Sequence, residues 1–343
     1  MNDLVLVTGA SGYVAGHVVL QLLERGYRVR GTLRSVSRAA EVRAWLTKAR
    51  NGQDPLKSLE FAAADLSADA GWDAAMEDVR FVLHVASPFP PTVPKDAQEL
   101  IGPARDGTLR VLHAAERSQV ERVVQTSSAV AIAYGRDNPN DHTFTEADWT
   151  DPEHPEVKAY AKSKTIAERA AWAELPKLKR PLEWTVVNPG LVLGPVLDKG
   201  LSASVDVVKK LLDGSVPGLP RFGFPIVDVR DLADLHLRAM LNPKAAGERF
   251  IGAGPFTWMS DVAAVLKDNL GARGKAVPAL RLPDFLVRLV GLFDPVVRAQ
   301  LHELGKVRVL SCSKAHTVLG WQQRPVKDTI VDTAESLFAA GVV

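Results

Sequence analysis

The chain has 343 residues, 46% hydrophobic and 24% charged, with 42 Lys and Arg against 40 Asp and Glu; this supports a sizeable core, excludes global disorder and, with no long run of like charge, argues against nucleic acid as principal partner. Its one cysteine, Cys312, excludes an intrachain disulfide framework and a cysteine-based zinc cluster and suits a reducing compartment. No apolar stretch reaches the roughly 18 to 20 residues that span a bilayer, and the N-terminal apolar run leads into glycines rather than a cleavage site, so a cytoplasmic protein with no membrane partner is expected.

Apolar, β-branched runs follow one another with helical stretches between them, at Leu4–Val7, Arg28–Leu33, Leu59–Ala63, Phe81–Ala86, Arg122–Thr126 and Trp184–Val187. This alternation predicts an α/β fold, a Rossmann-type doubly wound parallel sheet with helices on both faces. A first helix from Tyr13 to about Arg25 places Val14, Val18, Leu22 and Leu23 on one stripe, and Gly26 is a natural stop. After about Pro189 the pattern loosens into Gly- and Pro-rich connections, a short helix around Ser204–Leu212 and helical stretches between Trp258 and Leu301. A nucleotide-binding domain over 1–188 and a smaller lobe mainly over 189–343 are expected. Ile226–Met240 reads as strand then helix, so 225–254 is expected to return to the first domain, interleaving the two.

Between the first strand and first helix lies Val7-Thr8-Gly9-Ala10-Ser11-Gly12-Tyr13-Val14-Ala15. Glycines there let the backbone turn tightly and approach a pyrophosphate, and the helix start offers unpaired N–H donors. Gly9, Ser11, Gly12, Tyr13 and Val14 are therefore candidate dinucleotide contacts. After the second strand, where an NAD enzyme presents an acid to the ribose, this chain has Arg34 and Arg38 with no acid at that point. Guanidinium groups suit a 2′-phosphate, so NADPH/NADP is the expected cofactor. Asp65, at the end of the third strand, reads equally as an acceptor for the adenine amino group or as a turn or cap residue.

Tyr160 and Lys164 are four apart in a segment that reads as helix, so both side chains share a face. A nearby ammonium and an oxidised nicotinamide ring both lower a phenol pKa from about 10 toward neutrality. Upstream, Val123-Val124-Gln125-Thr126-Ser127-Ser128-Ala129 is a strand running out into small hydroxylated residues, at the sheet edge where such folds keep their ligands. A hydroxyl there can hydrogen-bond a substrate oxygen while the tyrosine gives up its proton.

With these motifs the chain resembles the extended short-chain dehydrogenase/reductase superfamily, within the branch of dihydroflavonol reductases, cinnamoyl-CoA reductases and yeast and bacterial aldehyde and ketone reductases. The likeness rests on Thr-Gly-x-x-Gly, Arg34, Asp65-Leu66, His84-Val85-Ala86-Ser87-Pro88, Thr126-Ser127-Ser128-Ala129, Tyr160-x-x-Ser-Lys164, Asn188-Pro189-Gly190 and Val227-Asp228-Val229-Arg230-Asp231. It implies Tyr160 as general acid, Lys164 as the group that binds the nicotinamide ribose and lowers the tyrosine pKa, and Ser128, rather than Ser127, as the carbonyl-oxygen ligand. It further implies cofactor contacts at Leu66, Val85, Ala86, Ser87, Pro189 and Val192, and a largely structural Asp231. The expected reaction is reduction of a small-molecule aldehyde or ketone by a monomer or homodimer.

Ala133 stands where flavonoid reductases carry asparagine, and the cysteine-containing signature of cinnamoyl-CoA reductases is absent near Tyr160. Phe89, Val130, Ile132, Leu191, Phe222 and Phe224 instead suggest an apolar or aromatic substrate group, each with plain core packing as the alternative. No metal site is expected: the histidines show no helical His-x-x-x-His pair, and His84 reads as a packed core residue. Two rivals stay open: NAD-linked chemistry on a hydroxysteroid or nucleotide sugar, and a nucleotide-sensing regulator without catalysis.

Overall fold

Strands buried on both faces must be apolar throughout, and that explains the continuous Val- and Leu-rich runs. In the computed structural model, which describes residues 3–50, 58–88 and 96–343, seven strands share one sheet. They are β1 (Leu4–Val7), β2 (Arg28–Leu33), β3 (Leu59–Ala63), β4 (Val79–His84), β5 (Arg122–Thr126), β7 (Glu183–Pro189) and β10 (Arg249–Gly252). Their order is β10-β7-β5-β4-β1-β2-β3, and every ladder is parallel. β4 lies two residues earlier than its sequence pattern indicated.

Side chains alternate between two cores across this sheet. Val5 and Val7 join Val18, Leu22, Leu46, Leu232 and Phe250 on the face covered by α1 (Tyr13–Glu24), α2 (Ala39–Ala49) and α7 (Val229–Leu241). Leu4 and Leu6 face Trp72, Met76, Val111, Leu112 and Ala171, from α3 (Trp72–Met76), α4 (Gln98–Arg117) and α5 (Ala159–Glu174). The buried side of α5 carries Ala161, Ala167 and Ala171, small enough to bring its backbone close to its neighbours.

A third core joins α6 (Ala203–Leu212), α8 (Met259–Leu270) and α12 (Val326–Ala339) with β8 (Leu191–Leu193) and β9 (Gly223–Asp228). β9 does not enter the large sheet as its sequence suggested. It pairs parallel with β8 and antiparallel with β11 (Phe256–Trp258), while α7 and β10 do return. A final parallel pair joins β6 (Thr143–Phe144) to β12 (Val309–Leu310).

Asp231 ties the end of the chain down. Its carboxylate accepts the Arg324 guanidinium at 2.7 and 2.9 Å and the Arg324 N–H at 2.7 Å, and its carbonyl accepts Trp321 Nε1–H at 2.7 Å. Cys312 is a buried free thiol, pushed up by burial to about 12.

Three histidines are buried neutral. Burial lowers His17 and His236 to about 4 and His84 to about 3, each from an ordinary 6.5. His17 Nε2–H donates to the Pro195 carbonyl at 2.9 Å; His236 Nδ1–H donates to Leu232 O at 2.8 Å, leaving Nε2 to pair with the Thr126 hydroxyl at 2.7 Å. The unfolded chain binds protons on these rings near pH 6.5 and the folded chain resists doing so, so the stability they contribute is complete above pH 6.5 and lost as pH falls toward 4. Denaturant midpoints should therefore report about 1 kcal/mol lost per histidine between pH 6.5 and 5.5, and His17→Gln, which keeps a donor for Pro195, should recover its share. Midpoints independent of pH across this window would contradict the assignment.

Candidate active site

A parallel sheet delivers the carboxyl ends of all its strands to one edge, and the order reverses at β1, where two crossovers part. The turn after β1 is tied to both neighbours: Thr8 N–H donates to Leu83 O at 3.0 Å, Ala10 N–H to Thr32 O at 2.9 Å, and Gly9 N–H to Thr32 Oγ1 at 3.0 Å. Thr8 Oγ1 accepts the Ala86 N–H at 2.9 Å and pairs with His84 Nδ1 at 2.9 Å. Gly9 has φ +66°, and a Cβ there would stand 3.0 Å from the Ala86 Cβ. Gly12 precedes the first turn of α1 and has no side chain to cap it. The result is a short backbone cradle with free donors, which fits a pyrophosphate. Ser11 and Val14 are half-buried beside it, as are Val85 and Ala86 across it; Ser87 is exposed. The Tyr13 hydroxyl turns away, donating to the Gly194 carbonyl at 2.8 Å, so its side chain serves packing.

The two arginines after β2 are not equivalent. Arg34 is exposed and makes no hydrogen bond or ion pair among the described residues. Arg38 points two nitrogens at the Glu41 carboxylate, both at 2.9 Å. Glu41 is the competing acid that the sequence reading overlooked, placed by the helical spacing of three. Asp65 behaves as a turn residue: its Oδ1 accepts the Ser67 N–H at 2.8 Å and hydroxyl at 2.7 Å, bonds that hold its carboxyl below the usual range. Leu66 is half-buried against Gly107.

Beyond β5 the chain runs on extended through Ser127 and Ser128 into a short 3-10 turn at Ala129–Ala131 that packs on α5. Ser128 is 8% exposed, and its Oγ accepts the Val130 N–H at 3.3 Å. That leaves its hydroxyl proton for Tyr160, with which it shares a hydrogen bond. Tyr160 sits in the first turn of α5 with its ring 38% exposed. Burial of the hydroxyl raises the phenol above its ordinary value and the Ser128 bond opposes this, so the phenol stands raised where the sequence suggested lowering. Lys164, one turn on, is 9% exposed and has no hydrogen bond or ion pair among the described residues. Burial brings it down to about 8 against the opposing field of Glu168. A buried ammonium in need of acceptors fits a ribose diol.

Pro189 is buried at the end of β7, and Val192 is half-buried on the α1 face of the sheet. Of the residues proposed to line a substrate pocket, Ile132 is 1% exposed inside that core and is a packing residue. Leu191 packs on the third core, Val130 is half-buried beside Ser128, and Phe222 and Phe224 are half-buried at the start of β9. Phe89 lies outside the described residues.

Several residues at the site went unassigned by sequence. Tyr134 is one: its guanidinium neighbour Arg308 lies 3.9 Å from the ring centroid and donates to the Ala133 carbonyl at 3.0 Å. Burial, Glu303 and Tyr160 all push its phenol up. Glu168 is another, and the spacing that revealed Lys164 also pointed to it, since it stands four residues further along the same face. Arg249, which bonds Glu168 at 2.6 Å, begins a strand 81 residues away and gave no signal. No cluster of three or more His, Cys, Asp or Glu able to hold a metal occurs among the described residues, and no helix among them is long and apolar enough to cross a membrane.

A family profile described as NAD dependent epimerase/dehydratase family matches residues 5–251. The chain is 32% identical to the NADPH-dependent methylglyoxal reductase of Saccharomyces cerevisiae, over 97% of each protein. It is 31% identical to a cinnamoyl-CoA reductase of Medicago truncatula, over 98% of this chain and 96% of that one. The crystal structure of yeast methylglyoxal/isovaleraldehyde reductase complexed with NADPH superposes at a TM-score of 0.79, with 29% identity, covering 99% of this chain and 100% of that one. Because the matched residues include the glycine turn, Ser128, Tyr160 and Lys164, the chain belongs to the NAD dependent epimerase/dehydratase family, the extended short-chain dehydrogenase/reductases that its motifs resemble.

Proposed function

We propose that this chain is an NADPH-dependent carbonyl reductase that converts an aldehyde or ketone bearing an apolar or aromatic group into the alcohol. The observation behind this reading is the hydrogen bond between Ser128 and a half-exposed Tyr160, one helical turn from a buried Lys164 with no partner among the described residues and at the same sheet edge as the glycine cradle. The likeness to reductases named for NADPH supports the cofactor.

Gly9, Gly12 and the start of α1 would hold the pyrophosphate, Arg34 the 2′-phosphate and Lys164 the nicotinamide ribose. Bound NADPH supplies the hydride that the carbonyl carbon accepts. Tyr160 Oη donates its proton to the carbonyl oxygen, while Ser128 Oγ–H hydrogen-bonds the same oxygen as negative charge develops on it. A phenol raised by burial keeps its proton until the oxygen becomes basic, which suits the direction of reduction.

Among the described residues Arg34 has no partner and Arg38 is paired with Glu41, so the two should differ. Arg34→Ala should cost about 1.5 to 3 kcal/mol of NADPH binding and shift preference toward NADH, whereas Arg38→Ala should have the smaller effect. Steady-state kinetics with both cofactors measure this, and an unchanged preference in Arg34→Ala would remove its role.

Tyr160→Phe keeps the ring and deletes only the acid. Reduction of a panel of aldehydes, β-keto esters and aryl ketones should fall by roughly 10² to 10⁴ with NADPH binding retained. Ser128→Ala should mainly lower turnover, and Lys164→Ala should weaken cofactor binding as well. Single-turnover NADPH oxidation beside cofactor affinity separates these cases; near-parental turnover in a folded Tyr160→Phe removes the acid role of Tyr160, and a parent that binds NADPH but reduces none of the panel returns the nucleotide-sensing alternative.

A further inference from the structure

Glu168 has no exposed surface and receives hydrogen bonds from three elements. Its Oε1 accepts Arg249 Nε–H at 2.6 Å; its Oε2 accepts Asn188 Nδ2–H at 2.9 Å and the Ser127 hydroxyl. The same Asn188 amide donates to the Ser128 carbonyl at 3.2 Å. Arg249 is itself fixed, donating to the carbonyls of Glu146 and Asp148 at 2.7 and 2.8 Å with its guanidinium 3.7 Å from the Trp149 ring centroid.

On the reductase reading above, we propose that Glu168 is a positioning residue: through Ser127 and Asn188 it holds the Ser127–Ser128 segment against α5, and it supplies the buried negative charge one helical turn beyond the Lys164 ammonium. Three donors converge on it, so the group must be acceptor-only, which a carboxylate is and an amide is not. The titratable groups facing Lys164 are Glu168 on its own helix and His84 on β4, with Tyr160 one turn earlier; Arg249 of β10 is bonded to Glu168. His84 is neutral at working pH, which leaves Glu168 as the group that favours the ammonium.

Removing the carboxylate therefore lets burial lower Lys164 further, and the ammonium is lost at a lower pH. Glu168→Gln tests this, with Glu168→Gln/Arg249→Met as the companion that leaves no lone buried guanidinium should the single variant not fold. NADPH affinity by fluorescence titration from pH 6 to 10, beside kcat/KM, should show the alkaline loss of both moved down by about one unit. One pH unit below the parent's limit, where the parent still binds almost fully, affinity should then be roughly twofold weaker, and the difference should approach about tenfold only above both limits. Glu168→Asp keeps the charge, so its profile should stay with the parent even where turnover drops. An unmoved alkaline limb in either folded charge-removing variant overturns the inference. A parent that neither binds NADPH nor reduces carbonyls fails the reductase reading instead, so the two failures are distinguishable.

Discussion

A carboxylate with no contact to water must have its charge and its lone pairs fully met by the protein, and in this chain Glu168 is met by Arg249, Ser127 and Asn188. These partners come from the starts or ends of β10, β5 and β7, so one buried group fixes α5 against three strands of the sheet. Breaking such a pair leaves the other charge unpaired in a desolvated site, which makes the arrangement all-or-none. The same helix presents Tyr160 and Lys164 two turns and one turn earlier. Register between the Ser128 hydroxyl and the α5 stripe thus follows from the ion pair.

Around that anchor the parallel sheet does the gathering. Because every ladder runs in one direction, the glycine turn after β1, the His84 end of β4, the serines after β5 and Pro189 after β7 all emerge at one edge. Close approach sets the residue types there. Gly9 faces Ala86 at a distance that admits no side chain, and Gly31 of β2 would drive a Cβ to within 2.6 Å of the Ala10 Cβ. Thr8 links the turn to β4 through both the Ala86 amide and His84, which explains a polar side chain with no exposure.

The C-terminal segments close the molecule over this frame by a different kind of bond. Asp231 accepts the Arg324 side chain and backbone, Arg230 bridges Asp228 and Asp332 at 2.7 and 2.6 Å, and Trp321 is wholly buried against α7. Near the site, Arg308 bonds Glu303 and the Ala133 carbonyl while stacking on Tyr134, so the chain that precedes β12 is clamped to the segment following Ser128. Polar contacts across long sequence separations here add to the apolar packing of the third core.

Local periodic signals explain what the sequence determined by itself. Continuous apolar runs located six of the seven strands of the large sheet, all but β10, the glycine turn marked its switch point, and spacing of four put Tyr160 and Lys164 on one face, because backbone geometry repeats over a few residues. Arg38 and Glu41 were within that range too, and their pairing was missed although the interval of three is helical. Other features needed the tertiary structure. Whether Ile132 lined a pocket or the core depended on helices more than 90 residues further along the chain, among them α7. β9 was readable as a strand, yet its choice of β8 and β11 over the large sheet rests on pairing partners that no local pattern encodes. The charge on Glu168 acquired its meaning from Arg249, 81 residues away, because a buried ion pair is specified by where two strands and a helix meet.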